Sequence, residues 1–156
     1  MKIGGRRRRF ALNSAAALVA KAFSVGVTLL LFPLLIGYLG KVPVGWVSVG
    51  PREDYAKLKR SPVMKAVDER PVWSIICFVV PSDYRGQGVA QALLDGAVAY
   101  ARKHGARLVE AYPVDKPARS NDEYMWFGAK SMYDRAGFKE VARRKPCRPI
   151  VRRKLP

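Results

Sequence analysis

Acidic residues are scarce in this chain. Its 156 residues include 12 Asp and Glu against 29 Lys and Arg, a formal net charge of +17. The first 40 residues hold no acid at all. Such an imbalance favours anionic partners: phosphate groups, acidic lipid or nucleic acid. Cysteine is scarce too. Cys77 and Cys147 show neither a disulfide framework nor zinc spacing, so no metal is expected. Cys77 sits in an apolar run, where a small buried thiol fits. His104, the single histidine, stands beside Gly105 at the end of an amphipathic run. A surface cap is the simpler role for it. Few aromatics interleave with the basic residues, and no helix-turn-helix or zinc-finger spacing is present, which disfavours nucleic acid as a partner. There is no internal repeat.

What is present falls into two unlike parts. After "GGRRRRF" comes "ALNSAAALVAKAFSVGVTLLLFPLLIGYLG". Residues 22–39 carry no charge, and with residues 11–21 the run suffices for a membrane helix, which needs roughly 20 residues. A cleaved signal peptide and a buried soluble helix are the rival readings. The run is long for a signal core, and no small-x-small cleavage site follows it. In composition the segment resembles the first transmembrane helix of polysaccharide-exporting flippases, without implying that activity. The expected division is therefore a basic N-terminus with a hydrophobic helix over residues 1–40, membrane-associated through residues 11–39, and a soluble domain over residues 41–156.

The second part alternates strand and helix patterns. "VGWVSVG" is a Val-rich strand, and "VWSIICFVV" is a strand apolar on both faces, as in a buried sheet centre. "REDYAKLKR" suits a short helix ending before Pro62. Residues 89–104 form a helix with the stripe Ala90, Leu93, Leu94, Ala97, Val98 and Ala101, stopped by Gly105. "ARLVEAYPV" is the next strand and "DKPARSND" a loop. Residues 123–135 are expected as a helix closed by Gly137, and "FKEVAR" and "PIVRR" as two last strands.

The turn Arg85-Gly86-Gln87-Gly88-Val89-Ala90 joins a strand to the long helix. The first amides of a helix lack intrahelical acceptors, and the helix dipole adds partial positive charge. Gly86 and Gly88 let the backbone curl toward an anion, and Arg85 adds a fork for phosphate oxygens. A phosphate site and a plain strand-to-helix turn both fit. It is not a Walker loop, since no Gly-Lys-Ser/Thr follows. Nor is it a dinucleotide fingerprint, since Gln91 stands where the third glycine belongs.

The turn in its setting resembles the pyrophosphate-binding motif of the GNAT superfamily of acetyl-CoA-dependent N-acyltransferases. That pattern, Arg/Gln-x-x-Gly-x-Gly/Ala, is met by Arg85, Gly88 and Ala90. The following helix, "RLVEAYPV" and "SMYDRAGFKEVAR" match the family's order, with Tyr133 to Phe138 resembling its last helix and next strand. The resemblance implies an α/β (α+β) fold: a GNAT-like mixed central β-sheet flanked by helices, here preceded by the hydrophobic helix and lacking the family's N-terminal third. It implies acetyl-CoA as co-substrate and an amine-bearing small molecule or peptide as acceptor.

It also implies roles. Two neighbouring parallel strands splay, and backbone groups near Phe78 and Val80 hold the pantetheine arm. Amides of Gln87, Gly88, Val89 and Ala90 cradle the pyrophosphate beside Arg85 and Gly86. Tyr133 is the candidate acid for the leaving thiolate, or else a packed core tyrosine. Glu110 is the first choice of base, or else an outward-facing carboxylate; Asp115 and Glu123 are weaker choices. Trp73, Tyr112 and Trp126 suit either an acceptor pocket or the core. Homodimerisation is left open. Need of acetyl-CoA favours a cytoplasmic domain, tethered or free. The alternative is a catalytically weak or inactive membrane-tethered remnant, motivated by the missing third.

Overall fold

The computed structural model describes residues 34–116 and 125–156. The Arg6–Arg9 cluster, most of the expected hydrophobic helix and the "ARSND" part of the loop lie outside the described residues.

Leu34–Leu39 is not helical. It is strand β1, paired antiparallel with β2 (Val42–Pro51) through a turn in which Gly40 supplies φ +61°. The expected hydrophobic helix therefore does not reach Leu39, and the sheet begins before residue 41. A short apolar run does not by itself separate helix from strand. Here the alternation decides: Leu35 and Gly37 turn to the core while Ile36 and Tyr38 are half-buried. The strand Leu34–Leu39 thus covers the edge of β2 with residues that precede the expected start of the domain. No helix among the described residues is long and apolar enough to cross a membrane.

β2 pairs antiparallel with β3 (Trp73–Val79). Between them lie the 3₁₀ turn Arg52–Asp54 and the short helix α1 (Ala56–Arg60). The long helix α2 (Val89–Lys103) carries the chain over to β4 (Leu108–Ala111), parallel to β3. Helix α3 (Lys130–Arg135) follows, then the hairpin of β5 (Lys139–Lys145) and β6 (Arg148–Lys154). The sheet order is β1-β2-β3-β4-β6-β5, with β6 lying between β4 and β5.

The sheet separates two cores. On one face α2 buries Leu93, Leu94, Ala97, Val98 and Ala101 against Val47, Val49, Ile75, Val109 and Val151, and α3 adds Met132 and Tyr133. Burial of Leu93 and Leu94 contributes about 1.5–3 kcal/mol each. Val89 is buried and Ala90 only half so. On the other face Tyr55, Leu58, Tyr112 and Ile150 pack together beneath Met64 and Val67. α2 ends as expected. Gly105, at φ +83°, donates to the Arg102 carbonyl and Ala106 to that of Ala101, a Schellman closure. His104 caps the same turn: its Nδ1 lies 2.8 Å from the Tyr100 carbonyl and its ring stacks on Tyr100.

Two expected elements are shorter than their sequence patterns. The strand over residues 106–114 is regular only at Leu108–Ala111. The helix over residues 123–135 begins at Lys130. Gly128, at φ +72°, interrupts it, and a Cβ there would lie 2.5 Å from Met132 Cε. A glycine inside a helical pattern was the available signal.

Candidate functional site

β3 and β4 pair only at Trp73↔Val109, Ser74↔Glu110 and Ile75↔Ala111. Beyond that they part. A bulge in β3 marks the divergence. Val47 faces Phe78 and Ser48 faces Ile76, so Cys77 is an extra residue, held at φ +58°. The bulge shifts side-chain alternation by one, which puts Phe78 on the same face as Ile75.

A cavity of about 710 Å³ opens where the strands part. Phe78 and Val79 line it from β3 and Val80 from just past its end, Val114 and Lys116 from beyond β4, and Arg85, Gly86, Gly88, Val89 and Ala90 from the turn into α2. The structure thus brings together the turn and the strand end that the sequence pointed to. Gln87 stands aside from the lining and donates its side-chain amide to the Asp83 carbonyl at 2.7 Å. Gly86 and Gly88 adopt φ +72° and +84°, and Gly88 is the N-cap residue of α2. This left-handed backbone is what aims the first helix amides outward. Arg85 is oriented by its Nε, which donates to the Val80 carbonyl at 2.8 Å. Among the described residues the lining contains Arg85, Lys116 and Arg135 and no carboxylate.

Residues 125–129 cross the gap between the parted strands. The Phe78 amide donates to the Trp126 carbonyl at 2.7 Å, and the Val114 amide to the Gly128 carbonyl at 2.9 Å. The Phe78 amide and the Val80 carbonyl, expected to face the pantetheine arm, thus both have protein partners. Trp126 lines the cavity and is half exposed.

Tyr133 adjoins this site from α3. Its side chain is fully buried, its hydroxyl donates to the Phe127 carbonyl at 2.9 Å, and its ring meets Phe78 edge-on. Burial pushes its phenol far above the usual range, so it holds its proton. Its neighbour Met132, not Tyr133 itself, is on the cavity wall.

Glu110 is placed elsewhere. It is not outward-facing but fully buried, on the sheet face away from α2. One oxygen accepts from the Tyr112 hydroxyl at 2.6 Å and the other from Arg152 Nε at 2.7 Å. Arg52 donates to the same Tyr112 hydroxyl at 2.8 Å, and Arg152 reaches on to Asp68 at 2.6 Å. Burial, then the Glu110 carboxylate, push the Tyr112 phenol up. Residues 61–70 roof this network. Arg52 donates to the Met64 carbonyl, and Arg144 to those of Val63, Lys65 and Ala66. Asp115 is paired with Arg143 at 2.6 Å, and Glu123 lies outside the described residues. Trp73 packs near Tyr100 and His104 at the far end of α2. Sequence reasoning did not reach the bulge at Cys77, the strap of residues 125–129, or Arg135.

The central parallel strands thus part beside a glycine-rich helix start, over a cavity lined, among the described residues, by three cationic side chains and no acid. The chain belongs to the Acetyltransferase (GNAT) family, whose model matches residues 29–138 and so takes in β1. A protein of Methanocaldococcus jannaschii described as an uncharacterized N-acetyltransferase is 32% identical over 79 residues, 47% of this chain and 29% of the relative. The chain thus matches less than a third of that relative's length. Among solved structures, a putative GNAT-family acetyltransferase of Desulfovibrio desulfuricans superposes with TM-score 0.52 at 20% identity, over 79% of this chain and 68% of that one. A putative acetyltransferase of Salmonella typhimurium, solved with its cofactor acetyl-CoA, gives 0.52 at 16% identity, over 80% and 65%. At these identities the structural likeness concerns the fold.

Proposed function

We propose that this protein transfers an acetyl group from acetyl-CoA to the amine of a small molecule or peptide. The observation that carries the reading is the position of the Arg85–Ala90 turn on the wall of the cavity between the parted strands. A pyrophosphate on the α2 amides would set the carrier's arm running into that gap. Arg85 adds a charge-assisted contact. Phe78 and Val80 contribute the strand end along which the arm lies, and Gly88, Val89 and Ala90, with the backbone of Gln87, the cradle.

The reaction needs few groups. The amine lone pair attacks the thioester carbonyl carbon, the carbon–sulfur bond breaks, and an amide forms. The thiolate takes one proton and the amine loses one. The protein's share is mainly positioning. We assign the proton on sulfur to Tyr133, which exchanges its bond to the Phe127 carbonyl for one to the leaving group. Glu110 could take the amine's proton only with residues 61–70 displaced; in the conformation described it braces Tyr112 and Arg152. Use of acetyl-CoA would keep the domain in the cytoplasm.

The test is acetyl-CoA binding to the full chain by calorimetry, with Arg85→Glu as control. Binding that the control loses supports the reading. No binding by a folded wild-type chain rejects it.

A further inference from the structure

The strap across the gap contains a tight turn. The Gly128 amide donates to the Met125 carbonyl at 2.7 Å, which closes a β-turn with Trp126 and Phe127 at its centre. Neither central residue has a positive φ. A closed turn with both centres at negative φ is of type I. The carbonyl between the two centres is that of Trp126, and it is the one that accepts from the Phe78 amide at 2.7 Å. The strap's other bonds run elsewhere. The Phe127 carbonyl accepts from the Tyr133 hydroxyl, and the Gly128 carbonyl from the Val114 amide.

We propose that the Trp126–Phe127 peptide is a switch on the cavity: it holds the Phe78 amide in the free protein, and it flips to give a type II turn when acetyl-CoA enters the gap. The inference rests on the acetyl-CoA reading and adds a regulation of the same site. The carrier's arm lies along the end of β3 and needs the donor at Phe78, which the strap occupies. Types I and II differ by a rotation of the central peptide. The turn bond and the bonds of Tyr133 and Val114 therefore persist through the flip. The flip has a cost. Type II requires a positive φ at the second centre, here Phe127, which disfavours a residue with a Cβ. That cost makes the closed turn the resting state and lowers affinity by the fraction of chains that are open. The Phe127 ring meets Tyr112 edge-on, with the Arg148 guanidinium 5.3 Å from its centre, and Phe127 is not on the cavity wall. Residue 127 can thus be changed without touching the ligand.

The test is calorimetry of acetyl-CoA with the full wild-type chain, Phe127→Ala and Phe127→Gly, each also melted. Both variants lose the ring, and only glycine frees φ. Phe127→Gly should bind acetyl-CoA about fivefold or more tightly than Phe127→Ala. Equal affinities, or weaker binding by the glycine variant, overturn the switch and leave the proposed function standing. No binding by the folded wild type overturns both. If either variant fails to melt cooperatively, NMR of the wild type decides. In a type I turn the Trp126 and Phe127 amide protons are neighbours; in type II the Trp126 Hα faces the Phe127 amide proton. Saturation with acetyl-CoA should exchange the first contact for the second. Retention of the first contact in the saturated protein overturns the switch.

Discussion

Glu110 and Arg152, 42 positions apart in the chain, meet at 2.7 Å inside the protein, with side-chain exposures of 0% and 4%. Their strands are neighbours, and the two residues face each other in the ladder. Burial opposes the Arg152 charge, but its bonds to Asp68 and Glu110 raise its pKa overall. Removing one member leaves the other's charge short of a partner in a dry place. Glu110→Gln should therefore cost about 3 kcal/mol in urea unfolding. If bracing is its role, the folded fraction of the variant retains the wild-type turnover number. If Glu110 is the base, turnover of the folded variant falls by orders of magnitude.

Asp68 predicts a pH effect. Its bonds to Arg152 and then Arg70 hold its carboxyl well below its ordinary value of 3.8. A carboxyl lowered in the folded state adds stability that is complete above the unfolded pKa and is lost as pH falls through the folded one. Asp68→Asn should accordingly melt below wild type at neutral pH. The gap between the two melting curves should narrow as pH drops below about 4. A constant gap down to pH 2 would contradict the assignment.

Gly45 predicts a packing effect beneath the cavity. A Cβ there would lie 2.7 Å from the Val79 carbonyl oxygen and 3.2 Å from Leu93 Cδ1. The first neighbour is backbone and cannot swing aside. Gly45→Ala should lose about 1–3 kcal/mol in denaturant titration. It should also weaken acetyl-CoA, since Val79 lines the cavity.

Tyr133→Phe separates catalysis from packing. The Phe127 carbonyl loses its donor, which costs about 1 kcal/mol of stability. If the phenol protonates the thiolate, the turnover number should fall about a hundredfold or more while acetyl-CoA affinity holds. Unchanged turnover would return Tyr133 to the core.

Much of the architecture was legible because it is local. The α2 stripe, the Gly105 stop and the strands of the sheet centre follow from periodicity and capping, and the turn from its glycines. The failures are non-local. Residues 34–39 continue an apolar run long enough for a membrane helix, yet they pair with β2 as a strand and bury alternate residues. Glu110 looked conspicuous because a carboxylate in an apolar strand needs a reason. The reason, Arg152, comes from the far end of the chain. Arg135 looked like an ordinary basic residue at a helix end. Its place on the cavity wall is set by the fold and not by its neighbours in sequence.

The placement of β6 between β4 and β5 also has a consequence for assembly. Strands β1 to β4 can pair as they are made, but β5 has no place until β6 docks on β4. Before then the Glu110 carboxylate lacks its Arg152 partner and should keep that face hydrated. Arrival of one strand then both completes the sheet and expels the water. Refolding followed by pulsed amide exchange should show protection of β2 and β3 first. Protection of β4, β5 and β6 should follow together, as one late event.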